Sequence, residues 1–257
     1  MVMPIGDDNT GRTIRPLVNY TLLAANILVF VLFQGMGSNE KFTFSFSTVP
    51  REIVTGQDQV TPDRQVEFTG QSITVPGLQP TPISVYITLI TSMFMHGGIA
   101  HLLGNMLFLW IFGDNVEDTL SHLRYFLFYM ICGLIASLAH VFTTVAFHGA
   151  GSEQALIPSL GASGAISGVL GGYIVLHPHR RVTVIMFRMI TQVPAYVAIG
   201  LWFLFQLVSG LGAFGEGSQT GGVAYAAHIG GFIAGTVLIS FFSIGRNTDG
   251  STRRYSR

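Results

Sequence analysis

Four polar side chains in three apolar stretches have the types and spacing for acyl transfer. Ser163 lies in GASGAISG (161–168), His228 in AHIGGFIAG (227–235), and His101 and Asn105 in HGGIAHLLGN (96–105). A serine hydroxyl becomes a nucleophile when an imidazole can take its proton, which pairs Ser163 with His228. The reaction also needs donors where charge develops on the carbonyl oxygen. His101 and Asn105, spaced i, i+4 on one helical face, offer side-chain donors, and a helix starting at Ser163 offers unpaired backbone N–H groups. The thirteen Asp and Glu residues read as loop, tail or interfacial residues, so a Ser163/His228 dyad is expected rather than a triad. Zinc held by His96, His101 and His228 is the competing chemistry. Residues five apart on a helix diverge by about 140°, which separates His96 from His101, and no HExxH occurs; neither metal nor organic cofactor is expected. Each group has a structural reading too: a Gly/Ser-rich packing helix, a satisfied core histidine, an asparagine bonded across helices. Their convergence favours chemistry.

The elements that must hold these groups are set by composition. Of 257 residues, 49% are hydrophobic and only 10% charged, which points to a membrane protein embedded in a lipid bilayer. Net charge is zero and no basic run forms a nucleic-acid surface, so a nucleic-acid partner is excluded. The single cysteine, Cys132, permits no internal disulfide. A span needs about 20 apolar residues. Apolar runs predict six: residues 17–33, 98–112 (preceded by a short helix in 82–96), 125–147, 163–176, 193–211 and 224–244. The expected fold is an all-α, six-transmembrane-helix bundle over 17–244, with an N-terminal segment 1–16, a long outside loop at about 37–81 and a polar tail 245–257. Within that loop, KFTFSFSTV alternates as a short strand or a surface-lying segment does. Ten of the thirteen basic residues flank one side, and only Lys41, Arg51 and Arg64 lie on the other, in the long loop. Both termini are therefore expected to be cytoplasmic.

Depth follows from length. The fourth run has fourteen residues, which cover roughly 20 Å of a hydrocarbon core about 30 Å thick. His177, His179, Arg180 and Arg181 pin its inner end, so Ser163 starts below the outer surface, roughly 5 to 10 Å deep. His228 reaches a similar depth on the sixth run, and irregular backbone there requires a wet, protein-lined pocket. Glycine in a helix costs about 1 kcal/mol against alanine. Gly164, Gly168 and Gly172, with Gly231 and Gly235 opposite, are expected to justify that cost by letting the fourth and sixth helices approach closely.

These motifs, HGGIAHLLGNMLFLWIFGDNVED (96–118), GASGAISG and AHIGGFIAG, resemble the second, fourth and sixth helices of bacterial rhomboid intramembrane serine proteases. The resemblance extends from about residue 82 to 242. It implies a rhomboid-like bundle in the plasma membrane, with Ser163 of the GxSG motif, which begins at Gly161, as nucleophile and His228 as general base. It also implies His101, Asn105 and the Ser163 amide as oxyanion donors. Substrates would be transmembrane segments of other proteins, cut near their outer end. AFGEGSQTGG (213–222) would cover the site, and the fifth helix would be a lateral gate. The chain departs from many members in two places. Ser167 stands where an aromatic residue packs on the histidine, and Ile87 and Thr88 stand where a Trp-Arg pair occurs. The alternative reading is a catalytically silent rhomboid-like protein that binds membrane helices for quality control. Its expected mark, loss of the serine or histidine, is not found.

Overall fold

The computed structural model describes residues 2–68, 71–186, 189–213 and 222–246, and is mostly helical. Among the described residues, three helices are long and apolar enough to cross a membrane: α5 (Ile99–Leu120), α6 (His122–His148) and the Tyr225–Phe242 part of α9 (Gly222–Phe242). Shorter apolar helices accompany them. They are α1 (Leu17–Leu28), running on through a π-helical turn to Phe33, then α7 (Ser163–Leu176), α8 (Ala195–Ala213) and the segment Val85–Phe94 around α4 (Thr88–Thr91). A helix thus lies over every predicted apolar run, with α7 bounded by the two residues expected. Most of the expected cover segment AFGEGSQTGG (213–222), namely residues 214–221 with Glu216, and most of the tail, with Arg253, Arg254 and Arg257, lie outside the described residues.

Three expectations are corrected. First, the chain is not all-α. β1 (Val2–Asp7), β4 (Arg181–Met186) and β5 (Met189–Pro194) form an antiparallel sheet in the order β1-β4-β5. Val182 and Val184 turn inward onto the helical core while Arg181 and Ile185 are exposed, the period-two pattern of a half-buried strand. A second hairpin, β2 (Arg64–Phe68) with β3 (Gln71–Val75), lies in the predicted long loop. Second, of the two readings of KFTFSFSTV, a strand or a surface-lying segment, the strand is excluded. The Asn39 side chain accepts a hydrogen bond from the Phe42 N–H and caps α2 (Glu40–Ser45), and α3 (Pro50–Thr55) follows. Third, α5 continues two turns beyond the predicted end at residue 112, which carries Asp114, Glu117 and Asp118 into the helix.

Asp114 and Glu117 are buried and Asp118 partly so, for a physical reason. The first N–H groups of a helix lack intrahelical partners, and no side chain at Pro16 caps α1. Glu117, fully buried, accepts from the Val18 and Asn19 N–H groups at 2.9 and 2.7 Å, and Asp118 accepts from those of Thr13 and Ile14. Arg12 pairs with Asp114. Asn19 then donates to the Leu109 carbonyl and accepts from the Tyr125 hydroxyl, joining α1, α5 and α6. At the same end, Arg246 bonds the Leu120 carbonyl and the Ser121 hydroxyl, fastening the segment after α9 to the α5–α6 turn.

The core is organised around α7, which is buried from Gly164 to Tyr173. Its glycines divide between two neighbours. A Cβ on Gly164 or Gly168 would lie 2.6 Å from that of Ala136 or 2.4 Å from that of Cys132, so this pair chiefly admits α6. A Cβ on Gly172 would meet Phe128 of α6 and Ile239 of α9. The approach of α9 depends on its own glycines and on Gly171, which the predicted stripe omitted. Cβ atoms on Gly231 and Gly235 would fall 2.1 and 1.9 Å from the Gly164 and Gly168 carbonyls, and one on Gly171 would fall 2.2 Å from the Phe232 carbonyl. Backbone contact of this kind cannot relax by side-chain rotation. Gly235→Ala is therefore expected to force α9 away from α7 and destabilise the protein by at least about 2 kcal/mol, read as a fall in the thermal unfolding midpoint in detergent. Gly200→Ala on α8, where a Cβ meets nothing within 4 Å, is expected to leave the midpoint unchanged or raise it.

Candidate active site

Ser163 is the first residue of α7, and the segment leading into it is fastened from outside. Thr48 and Ser159 exchange backbone hydrogen bonds at 3.0 and 2.8 Å, and the Gly161 N–H donates to the Ser92 carbonyl at 2.8 Å. Gly161 itself needs a glycine, because its φ is +126° and a Cβ there would lie 2.8 Å from the His101 ring. The serine hydroxyl thus emerges at a fixed point. His228, on α9 one turn before Gly231, meets it: Ser163 Oγ and His228 Nε2 are 2.8 Å apart. The glycine contacts described above bring the two backbones close enough for that bond.

On its other side, His228 Nδ1 lies 2.9 Å from Oε1 of Gln206, a buried residue of α8. The rings of Trp202, one turn earlier on α8, and Tyr225, on α9, flank the imidazole at centroid distances of 6.2 and 6.3 Å. The histidine therefore finds its polar and aromatic supports on α8 and α9. Ser167, in the position where an aromatic was anticipated, is buried and donates to the Ser163 carbonyl at 2.6 Å. It bonds back along its own helix as serine does in apolar surroundings.

His101 and Asn105 project from α5. The Gly97 N–H donates to His101 Nδ1 at 3.3 Å, which leaves the proton of a neutral ring on Nε2. The position a Gly161 Cβ would take is 2.9 Å from that Nε2 and 3.6 Å from Ser163 Oγ, so the nitrogen adjoins the serine. Asn105 is buried, and its Nδ2 has no partner among the described residues. A buried amide donor without a partner is costly. A cavity of about 40 Å³, enough for water, opens beside the pair, lined by Ser163, His228, Gly161, Ser92, Ser137 and Ser159 among others. His101 and Asn105 are outside its lining. The histidines weighed as zinc ligands are placed differently. His96 and His101 stand edge to face 5.2 Å apart, the His96 backbone is held by Gln34, and His228 is engaged with Ser163. No group of three His, Cys, Asp or Glu among the described residues could hold a metal ion.

Sequence reasoning missed Gln206, Trp202 and Tyr225. A signal existed for the first: a primary amide in the apolar run GLWFLFQLV is expensive in lipid and calls for a partner.

Comparison with known proteins places the chain. The Rhomboid domain family model matches residues 84–244, and the chain belongs to the rhomboid family. It is 34% identical over 161 residues to Rhomboid protein 1, mitochondrial, of Saccharomyces cerevisiae, covering 62% of this chain and 43% of that protein. Rhomboid protease GluP of Bacillus subtilis is 32% identical over 151 residues, 57% of this chain and 24% of that protein. The human Presenilin-associated rhomboid-like protein, mitochondrial, is 29% identical over 127 residues, 46% and 32% of the two chains. The chain thus spans less than half the length of these relatives.

The site geometry predicts that Gly161→Ala displaces the His101 ring, read as a shift of the His101 imidazole NMR resonances from their wild-type positions. Parallel thermal unfolding is expected to show a folded protein.

Proposed function

We propose that this rhomboid-family membrane protein is an intramembrane serine endopeptidase that hydrolyses peptide bonds in or near the transmembrane segments of other membrane proteins. The observation carrying the proposal is the 2.8 Å contact between Ser163 Oγ and His228 Nε2, set within an apolar bundle beside a small cavity. His228 takes the hydroxyl proton as Ser163 Oγ attacks the scissile carbonyl. The oxyanion is met by His101 Nε2–H, Asn105 Nδ2–H and the Ser163 amide at the start of α7. Collapse expels the amine, which takes the proton from His228. Water from the cavity, deprotonated by the same imidazole, then hydrolyses the acyl-enzyme. No metal or organic cofactor takes part in this scheme.

A transmembrane helix hides its carbonyls in its own hydrogen bonds, so a substrate must unwind where Ser163 attacks. Helix-weakening residues lower that cost, which is why segments containing them are the proposed substrates. The asymmetry of basic residues supports a multi-pass topology of six spans with the α5–α6 turn and both termini on the cytoplasmic side. Ser163 then opens toward the opposite face.

The test is cleavage of labelled transmembrane substrates in liposomes by the protein and by Ser163→Ala. Cleavage by the former and loss by at least about a thousandfold in the latter is expected. Equal cleavage by both sinks the proposal. Absence of cleavage by either across several substrates, with substrate binding retained, would instead favour a silent helix-binding protein.

A further inference from the structure

We propose that Gln206 is the positioning residue for His228, so that the site works as a Ser163–His228–Gln206 relay with an amide where a triad has a carboxylate. This inference rests on the protease reading above. It starts from the two ring nitrogens, which are engaged at once: Nε2 by Ser163 at 2.8 Å and Nδ1 by Gln206 Oε1 at 2.9 Å. An amide oxygen can only accept. Nδ1 must therefore carry the proton, and Nε2 is left with the lone pair that a general base needs. The opposite tautomer would present an N–H to the serine and disable the pair.

The surroundings give Gln206 this task and little competition for it. It is buried on α8, four residues after Trp202, and both face His228. Its only hydrogen bond among the described residues is to the imidazole. No Asp or Glu among the described residues bonds His228; the titratable groups facing it are His101 from α5 and Tyr225 from α9. A neutral acceptor suits this depth, because a buried carboxylate would carry a desolvation cost several kcal/mol higher. The residue that orients the base in many serine hydrolases is thus replaced by one whose placement in lipid costs less.

Gln206→Leu and Gln206→Glu separate this role from packing. Leucine keeps the bulk and removes the acceptor. Glutamate keeps the acceptor and adds charge that stabilises the imidazolium formed during attack. In liposomes, Gln206→Leu is expected to lower kcat by roughly ten- to a hundredfold while KM changes less than about twofold. Gln206→Glu is expected to retain cleavage, with the acidic limb of its kcat–pH profile moved upward by about one pH unit. Wild-type rates and unmoved profiles in both variants would overturn the proposal. So would equal loss in both with unchanged thermal unfolding, which would mean that Nδ1 requires the amide NH2 rather than an acceptor. If Gln206→Leu does not fold, the displaced limb of Gln206→Glu decides alone. Ser163→Ala is run in parallel: cleavage by that variant refutes the protease reading itself, whereas its silence alongside unaffected Gln206 variants refutes only the present inference.

Discussion

The backbone contact between α7 and α9 is the constraint on which the rest of the arrangement depends. In lipid there is no hydrophobic gain from bringing two apolar helices together, so proximity has to come from packing. Gly231 and Gly235 provide it by letting α9 rest on the carbonyls of Gly164 and Gly168, and Gly171 returns the contact one turn further along. The Ser163–His228 bond lies at the end of this seam, one turn from Gly231. Two side chains as short as serine and histidine cannot bridge helices separated by leucine-sized residues. Gly231 and Gly235 of α9, with Gly171 of α7, are therefore the condition for the Ser163–His228 contact, and burial of the glycine-rich α7 on every side by α5, α6, α8 and α9 supplies the stability that its propensity lacks.

A second requirement, that no backbone donor be left unpaired, explains the opposite end. Pro16 gives α1 no side-chain cap; the carboxylate of Glu117 caps its first turn from 98 and 99 residues away, and that of Asp118 holds the Thr13 and Ile14 N–H groups leading into it. That arrangement carries acidic groups into the last turns of α5. It also fixes α1 against the helix whose other end presents His101 and Asn105. One helix thus anchors the frame at one end and faces the serine at the other. The same logic holds at the serine end, where Thr48, Ser92 and Ser159 fasten the strand-like segment that delivers Ser163.

What could be read from sequence followed the strength of the physical signal. Ser163, His228, His101 and Asn105 are polar groups inside apolar runs, and cost alone marks them. The bounds of α7 were readable because Ser163 and the His/Arg cluster bracket a clean apolar stretch. The end of α5 was not, because Asp114, Glu117 and Asp118 look like a surface turn until their partners on α1 are known. The β1-β4-β5 sheet escaped because its pairing joins residues about 180 positions apart, although the alternation in RVTVIM was visible. The Gly164, Gly168, Gly172 stripe was a correct count attached in part to the wrong neighbour. Spacing shows that a face is small, not which helix will occupy it.

Ser167 illustrates how a local departure can be absorbed at a distance. An aromatic at that position would lie on α7, the same rigid helix as the nucleophile. Here the position is filled by a hydroxyl that bonds to the Ser163 carbonyl, and the rings near His228 come from Trp202 and Tyr225 instead. The imidazole is consequently referenced to α8 through both a ring and an amide, rather than to α7. Like α5, α6 and α9, α8 presents large exposed apolar side chains, here Leu201, Leu204, Phe205 and Val208, so its outer face has lipid rather than protein for a neighbour. The orientation of the proposed base is then tied to the helix with fewer protein contacts holding it, and any displacement of α8 toward lipid must stretch the Gln206–His228 bond before it disturbs the α7–α9 seam.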